Sequence, residues 1–210
     1  MPIKVLLADD HEIVRQGLRV LLEQKGFTVV AEAANGRDAI RAAQATPPDV
    51  AVFDLTMPSL NGLDATREMG TILPKVPVVL LTMHTEEHYI LDSLRAGARG
   101  YVLKSEAATD LVNAIEEVSK GAGYLSPRVS RAVVQAYLDK RQLPEDPLSA
   151  RERQVLQLIA EGKSTKEVAA VLGVSPKTAE SHRNRIMEKL NTHGTAALVR
   201  YAIRRGIIEP

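Results

Sequence analysis

The chain has no cysteine and no tryptophan, and only five tyrosines and two phenylalanines in 210 residues. Without cysteine there is no disulfide, thiolate metal site or cysteine nucleophile, which fits a reducing compartment. So few aromatics exclude the stacking platforms that hold single-stranded nucleic acid. No apolar run approaches the ~18 residues of a membrane-crossing helix. The start, Met1-Pro2-Ile3-Lys4, runs directly into a strand-like segment with no signal-peptide layout. A cytoplasmic protein with no membrane partner is therefore expected.

What is present is globular: 45% apolar and 25% charged residues. The length suggests one large or two small domains. The formal net charge of +1 hides an asymmetry. Residues 1–125 carry 12 Lys and Arg against 17 Asp and Glu, net −5, whereas residues 126–210 carry 15 against 9, net +6. An acidic half followed by a basic half points to two domains with different partners.

The acidic half alternates. Short apolar, partly β-branched runs at Ile3–Ala8, Thr28–Ala33, Val50–Phe53, Val76–Leu81 and Gly100–Leu103 suit strands buried on both faces. Helix-period segments lie between them: Ile13–Leu22, stopped by Gly26, then Gly36–Gln44, Leu63–Thr71, Glu86–Ala96 and Glu106–Lys120. Five such units predict an α/β domain over residues 1–120, an open doubly wound five-stranded parallel sheet. Residues 121–145 read as a linker, with a connecting helix at Ser130–Leu138 and a breaker-rich end at Leu143–Pro147. Residues 146–210 read as a smaller all-α domain of four helices. Ser149 with Glu152 and Ser164 with Glu167 form S-x-x-E capping boxes, Ser175-Pro176 is a helix start, and Gly162 and Gly173 are helix stops.

Sites in open α/β sheets form beyond the carboxyl ends of the strands. There the first strand is followed by Asp9 and Asp10, the third by Asp54, the fourth by Thr82 and the fifth by Lys104. Clustered carboxylates repel one another unless a cation is present. Magnesium suits them, because it takes a few carboxylate oxygens and leaves room for phosphate. With that charge neutralised, a carboxylate can attack phosphorus and form an aspartyl phosphate. Singly, each residue has a plainer reading: Asp10 as a helix N-cap, Thr82 as a turn hydroxyl, Lys104 as a solvated rim lysine. A dinucleotide site fails, since Ala8-Asp-Asp-His-Glu12 stands where G-x-G-x-x-G is needed. A magnesium-dependent phosphatase with an Asp nucleophile, of the haloacid dehalogenase type, would want a general acid at position 56, which is Thr56.

In the basic half, Leu172-Gly-Val-Ser175 joins two helices in a short turn, the helix-turn-helix pattern. At ~100° per residue, the second helix, Pro176–Leu190, turns Ala179, His182, Ile186 and Leu190 inward. Lys177, Ser181, Asn184 and Glu188 lie opposite, flanked by Thr178, Glu180 and Arg185. Ser181 and Asn184 are the candidate base readers, and Lys177, Thr178 and Arg185 suit phosphates. His182 is a packed or capping residue by this wheel, and Arg183 reaches a phosphate only by its long stem. A merely solvated amphipathic helix fits the same pattern.

Ala8-Asp-Asp-His11, Asp54-Leu-Thr-Met-Pro58 with Gly62, Leu81-Thr-Met-His84 and Gly100-Tyr-Val-Leu-Lys104 resemble the receiver domain of two-component response regulators over residues 3–120. Leu148–Leu156, Gly162–Ala169, Val174–Arg183 and Met187–Leu190 resemble the LuxR-type DNA-binding domain over residues 146–209, Ala179 standing where that family usually has Val. The resemblance implies a flavodoxin-like receiver with Asp54 as phosphoacceptor. It implies magnesium held by Asp10, Asp54 and the Thr56 carbonyl, with Asp9 acting mainly through water, and Lys104 pairing with the phosphoryl group. Thr82 and an inward-moving Tyr101 would be the switch, and His84 would occupy a position that tunes phosphate lifetime. The implied DNA contacts fall within Lys177, Thr178, Glu180, Ser181, His182, Arg183, Asn184, Arg185 and Lys189. A last helix, Thr195–Arg205, would help pair two output domains, although Leu198, Ala202 and Ile203 equally suit a core. The expected protein is a NarL/FixJ-type transcriptional regulator and not an enzyme. Its expected partners are a sensor histidine kinase, double-stranded DNA and a second copy when phosphorylated.

Overall fold

A computed structural model describes residues 1–138 and 146–209, the side chains of Ala132, Ala136 and Tyr137 excepted. Most of the breaker-rich segment expected at Leu143–Pro147 lies outside the described residues. Contacts divide the chain into two compact units, Met1–Leu143 and Pro144–Pro210, each with its own core.

The first unit alternates strand and helix: β1 (Lys4–Ala8), α1 (Glu12–Gln24), β2 (Thr28–Ala33), α2 (Gly36–Ala45), β3 (Val50–Asp54), α3 (Gly62–Ile72), β4 (Val78–Thr82), α4 (Glu87–Arg95), β5 (Gly100–Leu103) and α5 (Ala107–Ser119). All pairings are parallel, in the order β2-β1-β3-β4-β5, continued by a short β6 (Tyr124–Leu125). Successive side chains point to opposite faces of a strand. Accordingly Val5, Leu7, Val52, Leu81 and Val102 pack with Leu22, Leu111 and Ile115 on one side. Leu6, Phe53, Leu80, Tyr101 and Leu103 pack with Ile40, Met69 and Ile90 on the other. This two-sided burial is why the strands read as continuous apolar runs.

Two expectations need correction. The sheet has six strands rather than five: Tyr124 pairs with Gly100 and Leu125 with Tyr101. Two residues are too few to show a strand period, so the pairing was invisible in the sequence. The connecting helix is longer than Ser130–Leu138 and begins at Pro127 (α6, Pro127–Leu138). It packs into the first unit, where Val129 is buried in the core beside α4.

Register sets the site. Ala8 pairs with Phe53, Asp54 with Leu81 and Thr82 with Leu103, so the carboxyl ends of β1, β3, β4 and β5 finish together.

The second unit consists of α7 (Ala150–Ala160), α8 (Thr165–Leu172), α9 (Pro176–Lys189) and α10 (Thr195–Arg204). Both capping boxes close, with the serine accepting from the glutamate N–H and the glutamate accepting from the serine N–H. Gly173 ends α8 at φ 65°, a left-handed conformation that favours glycine. Leu198 and Ala202 are fully buried, so these positions of α10 serve the core.

Because Leu198 touches only the second core, Leu198→Ala is expected to cost that unit about 2–5 kcal/mol. Hydrogen exchange should show faster amides in α7–α10 and unchanged protection in β1–β5.

Candidate functional site

At the aligned strand ends, Lys104 opens a single 3₁₀ turn after β5. Its Nζ lies 2.8 Å from Asp9 Oδ2 and 2.9 Å from Asp54 Oδ2. Asp9 and Asp54 are only 1% and 4% exposed, so one ammonium faces two buried carboxylates. Asp9 Oδ1 accepts from the His11 N–H at 2.9 Å. Asp9 Oδ2 meets Lys104 as an ion pair and takes no directed hydrogen bond. Asp10 is exposed, with Oδ1 2.8 Å from His11 Nδ1. The residue at the N-cap of α1 is His11, which caps nothing with its side chain, so Asp10 is not the helix cap.

Burial pushes the Asp54 carboxyl up to about 7; Lys104 pulls it down, while Asp9 and Asp10 push it further up. Burial pulls the Lys104 ammonium down, but the attraction of Asp54 and Asp9 outweighs this and leaves it raised. The pocket thus carries more negative charge than it can comfortably ionise. Ligand atoms of Asp9, Asp10, His11 and Asp54 lie within 4.8 Å of one another. The set is mainly carboxylate oxygen, with one Asp9 oxygen lacking a directed hydrogen bond, which fits a hard divalent cation. His11 Nδ1 is occupied by Asp10, so its ring serves the carboxylate. Thr56 follows in the same turn and is buried, at 9% exposed.

The glycine of the Asp54 loop is sterically required. A Cβ at Gly62 would stand 2.0 Å from the Asp54 carbonyl oxygen, while the Gly62 N–H donates to the Leu55 carbonyl at 2.9 Å. The close approach fixes the backbone that carries the carboxylate.

Thr82 and Tyr101 meet on one residue, His84. Thr82 Oγ1 accepts from the His84 N–H at 3.0 Å, and Tyr101 Oη donates to the His84 carbonyl at 3.0 Å. Tyr101 is fully buried, and burial raises its hydroxyl pKa. Tyr101, expected to move inward, already has its ring inside in this structure. The His84 ring lies 4.3 Å from Tyr89 and not among the carboxylates.

In the second unit the helical wheel of α9 matches the exposure pattern. Ala179 and Ile186 are buried; His182 and Arg183 are half-buried; Lys177, Thr178, Glu180, Ser181, Asn184, Arg185 and Lys189 are exposed. His182 Nδ1 is buried without a hydrogen-bond partner. Three candidate contacts have jobs inside the unit. Arg183 Nη2 donates to Thr195 Oγ1 at 3.0 Å. Glu180 Oε2 accepts from Thr165 Oγ1 at 3.1 Å. Lys189 Nζ donates to Glu152 Oε2 at 2.7 Å. Burial alone would push the Glu152 carboxyl up, but hydrogen bonds from Lys189 and Ser149 and the lysine charge hold it down at about 2. Sequence reasoning placed Glu152 only in its capping box; its partner stands 37 positions away, beyond any local pattern. Thr165 was missed for the same reason.

A parallel sheet with an Asp–Lys–Asp pocket, followed by a capped helix-turn-helix unit, defines a phosphoacceptor-type module joined to a nucleic-acid-binding type. Residues 5–116 match the response regulator receiver domain, and residues 146–202 match the luxR family of bacterial regulatory proteins. The response regulator UvrY of Escherichia coli O6:H1 is 40% identical over 98% of this chain and 95% of its own. A structure of RcsB from Salmonella typhimurium has 31% identity and a TM-score of 0.67, covering 97% of this chain and 98% of that one. An RcsB–DNA complex has 32% identity and a TM-score of 0.61, covering 96% and 98%. The chain belongs to the two-component response regulators of the NarL/FixJ type, a receiver domain joined to a LuxR-type helix-turn-helix domain.

Two expected outcomes follow from the electrostatics. Asp54 rises from 3.8 to about 7 on folding, so without a cation its contribution is present below pH ~4 and is lost as pH rises through ~7. Magnesium should therefore raise the melting temperature more at pH 8 than at pH 5.5. Asp54→Asn should raise the metal-free melting temperature at pH 8 and remove most of the magnesium shift. Glu152 falls from 4.5 to about 2, so its contribution is present above pH ~4.5 and is lost as pH falls towards ~2. Glu152→Gln should destabilise α7–α10 at pH 7, and the gap to wild type should close as pH approaches 2, read by circular dichroism.

Proposed function

We propose that a sensor histidine kinase phosphorylates Asp54, and that this modification controls dimerisation and DNA binding by the second unit. The observation that carries the reading is the Lys104 bridge between buried Asp9 and Asp54. One Asp54 oxygen attacks phosphorus, the bond from phosphorus to the kinase histidine nitrogen breaks, and an acyl phosphate forms. Asp10, Asp54 and the Thr56 backbone carbonyl would hold Mg2+, with Asp9 acting mainly through water, and the bound ion would neutralise charge on the phosphoryl oxygens. Lys104 pairs with the new phosphoryl group. A hydrolytic reading is less well supported, because Thr56 offers no acid to a leaving group.

The signal is about two added negative charges. When the Thr82 hydroxyl turns to the phosphoryl oxygens, it releases the His84 N–H. The carbonyl of the same residue accepts from Tyr101, so the loop before α4 and the buried ring respond together. We assign residues 1–120 to the receiver function, 121–145 to the link and 146–210 to DNA binding. A regulator served by a kinase and by chromosomal DNA works in the cytoplasm.

DNA lies along the exposed side of α9, with Ser181 and Asn184 at base edges and Lys177, Thr178 and Arg185 at phosphates. Arg183 and Lys189 act mainly within the unit, by holding α10 and α7. The binding of DNA by the relative RcsB supports this reading.

With acetyl phosphate and magnesium, label is expected on Asp54 and absent from Asp54→Ala; an equally labelled variant would move the phosphoacceptor elsewhere. Asp10→Asn should slow labelling, and chelator should stop it. On DNA, Asn184→Ala should reduce discrimination between target and random duplex by ~1–3 kcal/mol. Lys177→Ala should weaken both alike and lower the salt slope by about one. Fluorescence anisotropy across a salt series separates the two.

A further inference from the structure

The exposed groups of α9 differ in what they can offer a base. Lys177 and Arg185 only donate, Ser181 and Asn184 both donate and accept, and an ionised Glu180 only accepts. Glu152 and Glu167 are consumed by their capping boxes. Glu180 is different: it is exposed, and among the described residues its hydrogen-bond partner is the Thr165 hydroxyl, on Oε2 at 3.1 Å. Thr165 is the first residue of α8, so the neighbouring helix of the motif holds this carboxylate in place. Its other oxygen, Oε1, is left to take a further donor.

An unneutralised carboxylate on a surface that meets a polyanion weakens binding everywhere unless it finds a donor there. In the major groove the exposed donors are the amino groups of cytosine and adenine. Adenine sets its N7 acceptor beside the amino group, which repels a carboxylate. Cytosine presents its amino group without that acceptor. An acceptor-only side chain at the start of a reading helix therefore matches cytosine.

We infer that Glu180 is a specificity-determining residue that selects cytosine at one position of each half-site, and that Thr165 is the positioning residue that orients it. This rests on the reading of α9 as the DNA-reading helix. Specificity arises in both directions: the correct base receives a hydrogen bond, and each wrong base meets an unpaired negative charge.

The experiment uses the full-length chain treated with acetyl phosphate. Wild type, Glu180→Gln, Glu180→Ala, Thr165→Val and Thr165→Ser are each selected against a random duplex library. Binding to single-pair variants of the enriched site is then measured. Wild type should favour cytosine at one position per half-site by about tenfold or more. Glu180→Gln should move that preference to adenine, because an amide both accepts from the amino group and donates to N7. Glu180→Ala should flatten that position alone. Thr165→Val should weaken the same position and no other, and Thr165→Ser should retain it. Uniformly tighter binding by both Glu180 variants, with an unchanged preference, would make Glu180 a merely repulsive charge and overturn the inference. An unchanged preference in Thr165→Val would remove the positioning role. If wild type enriches no sequence at all, the DNA-binding reading itself fails, and that result is distinct from a wild-type preference that survives every Glu180 variant.

Discussion

One ammonium between two buried carboxylates is the constraint on which the receiver pocket depends. Lys104 lies within 3 Å of both Asp9 and Asp54, yet burial still holds the Asp54 carboxyl near 7. Carboxylates so shielded from water repel each other strongly, and a single positive charge does not satisfy both. The pocket therefore favours further positive charge. The sheet makes this possible by finishing three parallel strands at one level. The Gly62 approach to the Asp54 carbonyl keeps the carboxylate from drifting.

The Thr82 hydroxyl and the Tyr101 ring meet on a single residue. His84 donates its N–H to Thr82 and accepts from Tyr101 through its carbonyl. One residue thus separates the Thr82 hydroxyl from a fully buried ring.

The second unit rests on a different economy of charge. Two of its glutamates, Glu152 and Glu167, sit in the first turns of α7 and α8, where the capping serines satisfy them. Glu152 also anchors Lys189 from the end of α9, so α9 is tied to α7 at one end. Arg183 ties it to α10 through Thr195. These internal pairs fix the angle at which the exposed side chains stand.

Local order alone made much of this molecule legible. Two-sided burial forces continuous apolar strands, so β1 to β5 and their helices could be read from period and stops. Capping boxes and Gly173 marked the starts and ends of α7 to α9, because unsatisfied backbone groups at helix ends demand those residue types. Asp9, Asp54, Thr82 and Lys104 were legible as a site because each directly follows or ends a strand of one parallel sheet. Only the tertiary structure decided the rest. The β6 pairing is too short to carry a period. The Lys189–Glu152, Glu180–Thr165 and Arg183–Thr195 contacts join residues on different helices, where spacing along the chain has no bearing on distance. The sequence placed Tyr101 in β5 but did not show its hydroxyl meeting the His84 carbonyl, since that contact joins residues 17 positions apart.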